Sequence, residues 1–212
     1  MKTCRWFAVP IAMTFAMALN AQQGGMAGQN AGGAVSLTAG IVQQYNGVKG
    51  NLEKAAAAMP EDGYAFKPMP AERDFGGWVG HVAQAQLGSC SRIAGQTPDA
   101  DTMKMLQGVA SGTTASKADL VAALKKSFDV CDAAYNGLTD ANAADAVPSF
   151  RGSASRISAL AGNVAHDNEC YGSMAVYLRL KGVVPPSSEG RGGMGGGMRG
   201  QGRMGGSRGP GL

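Results

Sequence analysis

The chain has 212 residues, including 33 glycines, 4 cysteines and 2 histidines, and its formal net charge at pH 7 is +4. The positive charge lies at the two ends. Of the 19 basic and 15 acidic residues, two basic residues precede position 22, and four arginines and one glutamate follow position 186, which leaves 13 basic and 14 acidic residues between them. The central part therefore lacks the basic surface that nucleic-acid binding requires, and we predict no nucleic-acid partner.

The first residues are typical of a secretory signal. Lys2 and Arg5 precede an uncharged apolar stretch, Trp6–Leu19, which is short for a membrane span and is followed by small residues. We predict a signal peptide at residues 1–21, with an uncleaved anchor as the alternative. The mature protein is then exported, periplasmic or secreted, and has no membrane association.

Two segments of biased composition flank the central part of the chain. Residues 22–35 are mostly Gly, Gln, Ala and Asn, which predicts a flexible linker. Residues 189–212 are rich in Gly, Arg and Met and cannot bury enough apolar area to offset the entropy of ordering, so we predict a disordered tail. The remaining residues, 36–188, are long enough for one domain with its own core.

The domain is predicted to be all-α, because apolar residues recur at three- and four-residue spacings and no stretch shows the alternation of a strand. Ser36, Asp74 and Ser116 are candidate N-caps, and Asp119 would complete a capping box with Ser116. Four long amphipathic helices predict a four-helix bundle. The predicted helices are Ser36–Met59, Phe75–Ala94, the short Asp101–Val109, Ser116–Leu138 and Ser153–Lys181.

The last helix carries the most informative pair of residues. His166 and Cys170 are four residues apart, a little over one turn, so their side chains project from the same face. Imidazole and thiolate both bind zinc and similar divalent metals. The only other histidine, His81, lies in the second predicted helix. If these helices pack together, the three side chains predict a metal site with an open coordination position.

One feature of this helix argues against a simple bundle. Ile157, Leu160 and Val164 begin an apolar stripe, and His166 and Cys170 fall nearly opposite it. Either the helix buries two faces, or one stripe contacts a partner subunit, so a homodimer is possible.

The cysteines divide into three groups. Cys4 leaves with the signal, which gives the mature chain an odd number of thiols. Cys90 and Cys131 lie on the second and third long helices, and a disulfide could join them if these helices are neighbours. Cys170 would then be the unpaired thiol. The alternative is three buried free thiols, which pack well as small apolar groups.

Four long strings in the central part of the chain are distinctive. They are AFKPMPAERDFGGWVGHVA (65–83), FGGWVGHVAQAQLGSCS (75–91), SFDVCDAAY (127–135) and NVAHDNECYGSMAVYLRLKGVVPPSS (163–188). These strings resemble the DinB-like family, in particular its secreted branch. The resemblance covers nearly all of residues 36–188, and the strings occur in the order expected for that family.

The resemblance implies a four-helix bundle, often dimeric, that holds a divalent metal, usually zinc or nickel, with three histidines on two helices. His81 matches the first ligand position and His166 the second. The third position is usually histidine, but here it is Cys170. A thiolate still binds zinc, favours softer metals and makes the site sensitive to oxidation. The same departure is compatible with a degenerate site that holds no metal.

Relatives in the wider superfamily include thiol-dependent S-transferases and isomerases. For most of this branch no reaction is known, so the resemblance implies a fold and a site but no substrate and no catalytic residue. A zinc ion with three protein ligands keeps a position for water or a thiol, and we therefore expect a metal-dependent hydrolase or thiol S-transferase acting on an unknown small molecule. Asp167 and Glu169 are candidates for acid–base catalysis or for orienting the metal ligands, although the simpler expectation is that both face water or pair with a lysine or arginine. The alternative function is a non-catalytic exported scaffold or binding protein.

Overall fold

The computed structural model describes residues 36–109, 115–150 and 152–189. The signal peptide predicted at residues 1–21, the linker at 22–35 and all but Glu189 of the predicted tail at 189–212 lie outside these residues. None of the helices in these ranges has a stretch that is long and apolar enough to cross a bilayer.

Four long helices and one short helix form the domain, so the predicted all-α four-helix bundle is confirmed. Helix α2 (Phe75–Ala94) packs most extensively against α4 (Lys117–Asn136), and α1 (Ala39–Ala58) packs against α5 (Arg156–Leu180). Single 3₁₀ turns occur at Glu61–Gly63 and Pro186–Ser188. The elements are α1 (Ala39–Ala58), α2 (Phe75–Ala94), α3 (Ala100–Gly108), α4 (Lys117–Asn136), β1 (Ala146–Ser149), β2 (Gly152–Ser155) and α5 (Arg156–Leu180).

Local capping chemistry explains where the helices begin. The Asp74 carboxylate accepts a hydrogen bond from the amide of Gly77, and the Ser116 hydroxyl accepts one from the amide of Asp119 at 3.1 Å. Helix α1 begins three residues later than predicted, at Ala39. Ser36 still contributes, because its hydroxyl accepts a hydrogen bond from the amide of Ala39 at 3.2 Å.

The prediction that the domain contains no strand was wrong. Strands β1 and β2 form an antiparallel hairpin in which Ala146 pairs with Ser155 and Ser149 pairs with Gly152. The last long helix therefore begins at Arg156 rather than Ser153, and Ser155 is its N-cap. Strand β2 consists of Gly, Ser and Ala and has no alternating apolar pattern. Only its pairing with β1 therefore defines it as a strand.

The core lies between the four long helices and is rich in aromatic side chains. The rings of Tyr45 and Tyr135 stack with centroids 3.7 Å apart and planes within 7°. A disulfide between Cys90 and Cys131 joins α2 to α4 through this core. The largest fully buried side chains fill the core and exclude water from it. They are Tyr45, Leu52, Met59, Phe75, Leu106, Leu120, Leu124, Phe128, Tyr135, Leu160, Met174 and Leu178.

Helix α5 buries one wide face, so the apparent second stripe has a simpler explanation. At 100° per residue, the buried residues of α5 span an arc of about 160°, and His166 lies at its edge. Asn163 and Asp167 lie within this arc and are 5% and 0% exposed, respectively. These two polar residues interrupt the apolar pattern, which made one face look like two stripes.

Candidate metal centre

Two neighbouring helices bring the three predicted ligands together. His81 projects from α2, and His166 and Cys170 project from α5, one turn apart. The Nε2 atoms of His81 and His166 are 3.1 Å apart, and Cys170 Sγ lies 3.6 Å from His166 Nε2. Ligand atoms of all three residues lie within 4.8 Å of one another. The sequence alone could not establish this convergence, because it depends on how α2 packs against α5.

Two of the three separations between the ligand atoms fit a tetrahedral metal ion, and the third is within 4.8 Å. Zinc with bonds of about 2.05 Å to nitrogen and about 2.3 Å to sulfur requires its ligand atoms to be ~3.3 Å (N···N) and ~3.6 Å (N···S) apart. The observed distances are 3.1 Å between the two Nε2 atoms and 3.6 Å between His166 Nε2 and Cys170 Sγ. Two imidazoles and one thiolate also form a donor set that zinc prefers. The three residues therefore fit a divalent ion.

The three side chains differ in their exposure to solvent. Cys170 is 2% exposed, whereas the His166 side chain is 34% exposed and His81 is half-buried. The thiol thus lies on the inner side of the cluster and the imidazoles on the outer side. An additional ligand would approach from the side of the imidazoles.

A buried carboxylate lies directly behind the cluster. Asp167 is 0% exposed, and its Oδ1 lies 3.6 Å from His166 Nδ1. This distance exceeds that of a hydrogen bond, so the two groups interact through charge. Asp167 Oδ2 accepts a hydrogen bond from Gln86 Nε2, whereas Oδ1 has no hydrogen-bond partner among the described residues. The expectation that Asp167 faces water was wrong. Its burial raises the pKa of this carboxyl group, an effect that His166 and Gln86 oppose.

The surroundings of the two histidines shift their pKa values in opposite directions. Asp167, and then Cys170, raise the pKa of His166 to about 10. Burial, followed by the positive charge of Arg73 and the proximity of His166, lowers the pKa of His81. In the metal-free protein these shifts favour a charged His166 beside a neutral His81, so the pair carries one proton more than two neutral imidazoles. The Nε2 atoms of the two rings are within hydrogen-bonding distance of each other, at 3.1 Å. A metal ion must displace this additional proton.

A chain of buried polar groups extends from Asp167 into the core, and the sequence analysis missed it. The Tyr135 hydroxyl donates to Asn163 Oδ1 at 2.8 Å, and Asn163 Nδ2 donates to Gln86 Oε1 at 2.7 Å. Gln86 Nε2 completes the chain by donating to Asp167. Gln86 and Asn163 are polar residues within otherwise apolar helix faces. Two polar residues on otherwise apolar helix faces were the sequence signal that could have predicted this chain of polar groups, because buried polar groups are usually hydrogen-bonded.

Three further side chains lie near His81 or act on it through their charge. The Trp78 ring lies nearly perpendicular to the His81 ring, with centroids 6.0 Å apart. The Arg73 guanidinium lies 5.3 Å from the centroid of Trp78. Glu169 is exposed on α5, as the simpler expectation had it. Its negative charge acts on His81 in the direction that raises the histidine pKa.

The cysteines adopt the first of the two arrangements considered above. Cys90 and Cys131 form the disulfide, and Cys170 is bonded to neither of them. The two disulfide sulfurs lie close to the Gln86 carboxamide. Cys131 Sγ is 2.9 Å and Cys90 Sγ is 3.7 Å from Gln86 Oε1. Cys170 therefore retains the thiol that a metal ligand requires.

Comparisons with known proteins agree on the fold. A crystal structure of a DinB-like protein from Bacillus cereus ATCC 10987 has a TM-score of 0.56 at 15% identity, covering 71% of this chain and 96% of that one. A conserved protein from Enterococcus faecalis has a TM-score of 0.57 at 14% identity, covering 69% and 98%. No functionally curated protein matches the sequence. The family model described as the DinB superfamily matches residues 44–173, so the chain belongs to the DinB superfamily.

Proposed function

We propose that this protein binds one divalent metal ion through His81, His166 and Cys170 and uses it to activate water or a thiol in a reaction on a small molecule. The observation that carries the proposal is the convergence of three donor atoms within 4.8 Å on two packed helices. Membership of a family that often binds metal supports it. Three protein ligands, rather than four, are typical of zinc sites that take part in chemistry.

Zinc or nickel is the metal that we propose, since nitrogen and sulfur ligands favour borderline ions over hard ones such as magnesium. When bound, such an ion would act as a Lewis acid and lower the pKa of a water molecule or thiol in its remaining position. Hydrolysis and thiol transfer both use this chemistry.

The residues around the metal ligands have separate roles in this proposal. Asp167 holds His166 by its charge at Nδ1, which directs Nε2 towards the metal position. Burial of Cys170 keeps its thiol away from solvent oxidants. Trp78 and Arg73 would line the approach of a substrate, because they lie beside His81 on the outer side of the cluster.

Export of the mature protein and its assembly as a homodimer belong to the same proposal. The disulfide between Cys90 and Cys131 supports export, because disulfides persist in oxidising compartments such as the periplasm. For the homodimer, the support is the family resemblance given above.

Metal analysis of the full chain tests the proposal. Protein purified without chelator is expected to contain about one zinc or nickel ion per chain, and His81→Ala is expected to abolish stoichiometric binding. Gln84→Ala is a matched control, since Gln84 lies on the same helix and its side chain donates to the carbonyl of Leu106 rather than to a proposed ligand. Absence of metal from wild-type protein in several preparations, even after addition of zinc or nickel, would reject the metal site and leave the scaffold function.

The reaction class is tested with the metal-loaded protein. Hydrolysis of an activated ester probe would support a hydrolase, and conjugation of dithiothreitol to an aromatic chloride would support a thiol transferase. Either activity should disappear in His81→Ala and persist in Gln84→Ala. Metal binding without either activity would weaken the enzyme proposal but not the metal site.

A further inference from the structure

We propose that Gln86 is a positioning residue of the metal centre. Its carboxamide fixes the orientation of Asp167. Because it hydrogen-bonds from α2 to α5, it also fixes the position of His81 relative to His166 and Cys170. This inference rests on the proposed metal-binding function and adds a residue whose side chain, within the described part of the chain, hydrogen-bonds to none of the three ligands.

The carboxamide of Gln86 lies between the two helices that supply the ligands. Gln86 is 0% exposed and follows His81 on α2. Its Nε2 donates to Asp167 Oδ2, and its Oε1 accepts from Asn163 Nδ2 at 2.7 Å. Asp167 and Asn163 are one turn apart on α5, so a single planar group contacts two successive turns of the facing helix.

The direction of these hydrogen bonds is fixed by the carboxylate at one end. Asp167, when ionised, only accepts, so the Gln86 amide must present its nitrogen to it and its oxygen to Asn163. Asn163 must then present its amide nitrogen to Gln86 and its oxygen to the Tyr135 hydroxyl, as observed. Every donor in the chain therefore points towards Asp167.

Contacts on the other side of the carboxamide prevent it from turning away. The sulfur of Cys131 lies 2.9 Å from Gln86 Oε1, and that of Cys90 lies 3.7 Å away. Gln86 Nε2 donates to one carboxylate oxygen of Asp167, Oδ2. The other oxygen, Oδ1, therefore faces His166 and lies 3.6 Å from its Nδ1 atom. Without the Gln86 donor, the carboxylate would be free to rotate away from His166.

A purely structural role for Gln86 predicts a different outcome from a positioning role. A structural residue would lower the stability of the fold and leave the metal site of the folded protein unchanged. A positioning residue would alter metal affinity and the ligand field even where the protein is fully folded.

The experiment uses full-length protein and cobalt(II), whose absorption spectrum reports ligand geometry. Gln86→Met keeps the volume of the side chain and removes its hydrogen bonds. We expect cobalt affinity to fall about 10-fold, the lower end of the effect of losing a group that orients a metal ligand, because Gln86 acts on His166 only through Asp167. The visible spectrum should change as well. Gln84→Met, in which a half-buried glutamine of the same helix loses its bond to Leu106, should leave both unchanged. Wild-type affinity and spectrum in folded Gln86→Met would overturn the proposal.

Two further variants keep the test decisive if Gln86→Met does not fold. Gln86→Asn retains a carboxamide that is too short to reach Asp167, and it should show the same loss. In an Asp167→Asn background, the substitution of Gln86 should change cobalt affinity less than about threefold, since its effect acts through Asp167. If substitution of Gln86 lowers cobalt affinity in the Asp167→Asn background as much as it does in the wild-type protein, the proposal is contradicted. Failure of wild-type protein to bind cobalt would instead reject the metal site itself, and this assignment with it.

Discussion

The buried carboxylate beside His166 leads to a prediction about protons. The pKa of His166 is raised to about 10, first by Asp167 and then by Cys170. At pH 8 a group with this pKa is ~99% protonated, whereas a histidine with its ordinary pKa of about 6.5 is only ~3% protonated. Binding of zinc at pH 8 must therefore displace about one proton from His166 in the wild-type protein.

Replacement of Asp167 by asparagine removes the largest cause of this shift. We expect zinc binding to Asp167→Asn at pH 8 to release fewer protons than binding to wild type, by about 0.5–1 per chain. The lower bound allows for Cys170, which still raises the pKa of His166 in the variant. Any proton lost from the thiol is common to both proteins and cancels in the difference.

Isothermal titration calorimetry in buffers of different ionisation enthalpy measures the number of protons released. Glu169→Gln is the matched control, because it removes one negative charge from an exposed position on the same helix and should release as many protons as wild type. Equal proton release from wild type and Asp167→Asn would refute the coupling between this carboxylate and His166.

Three further predictions concern stability. The Cys90–Cys131 disulfide closes a loop of 41 residues, so Cys90→Ala/Cys131→Ala should lower the free energy of unfolding by about 4 kcal/mol in urea denaturation, and unchanged stability would contradict this. Tyr135→Phe leaves the Oδ1 atom of Asn163 without its donor and should cost about 1–2 kcal/mol by the same measurement, whereas no loss would show that the bond is not needed. In the metal-free protein, the raised pKa of His166 gives a stabilisation that is complete below pH about 6.5 and lost as the pH rises through about 10. Melting in chelator at pH 6 and pH 10 should show a smaller decrease for His166→Gln than for wild type, and identical decreases would exclude this contribution.

Features that depend on local chemistry could be predicted from the sequence. Helix α2 runs from Phe75 to Ala94 as expected, because Asp74 caps its first turn and Gly95 ends it with a left-handed φ of 65°. The start of α5 could not be predicted, since residues 153–155 are extended only through pairing with a strand that itself has no clear pattern.

The candidate site shows the same division. The spacing of His166 and Cys170 placed them on one helix face, but only packing of α2 on α5 brings His81 within 3.1 Å of His166. The burial of Asp167 was missed because a carboxylate is expected to face water unless a partner is known. Its partners, Gln86 and His166, become evident only when the helices are assembled.

The central claim is that two imidazoles and one thiol bind the same ion. Anomalous diffraction at the zinc absorption edge, from a crystal of the protein grown with zinc, tests it directly. We predict one strong peak at ~2.0–2.1 Å from the Nε2 atoms of His81 and His166 and ~2.3 Å from Cys170 Sγ. No peak at this position, or a zinc ion bound without His81, would contradict it.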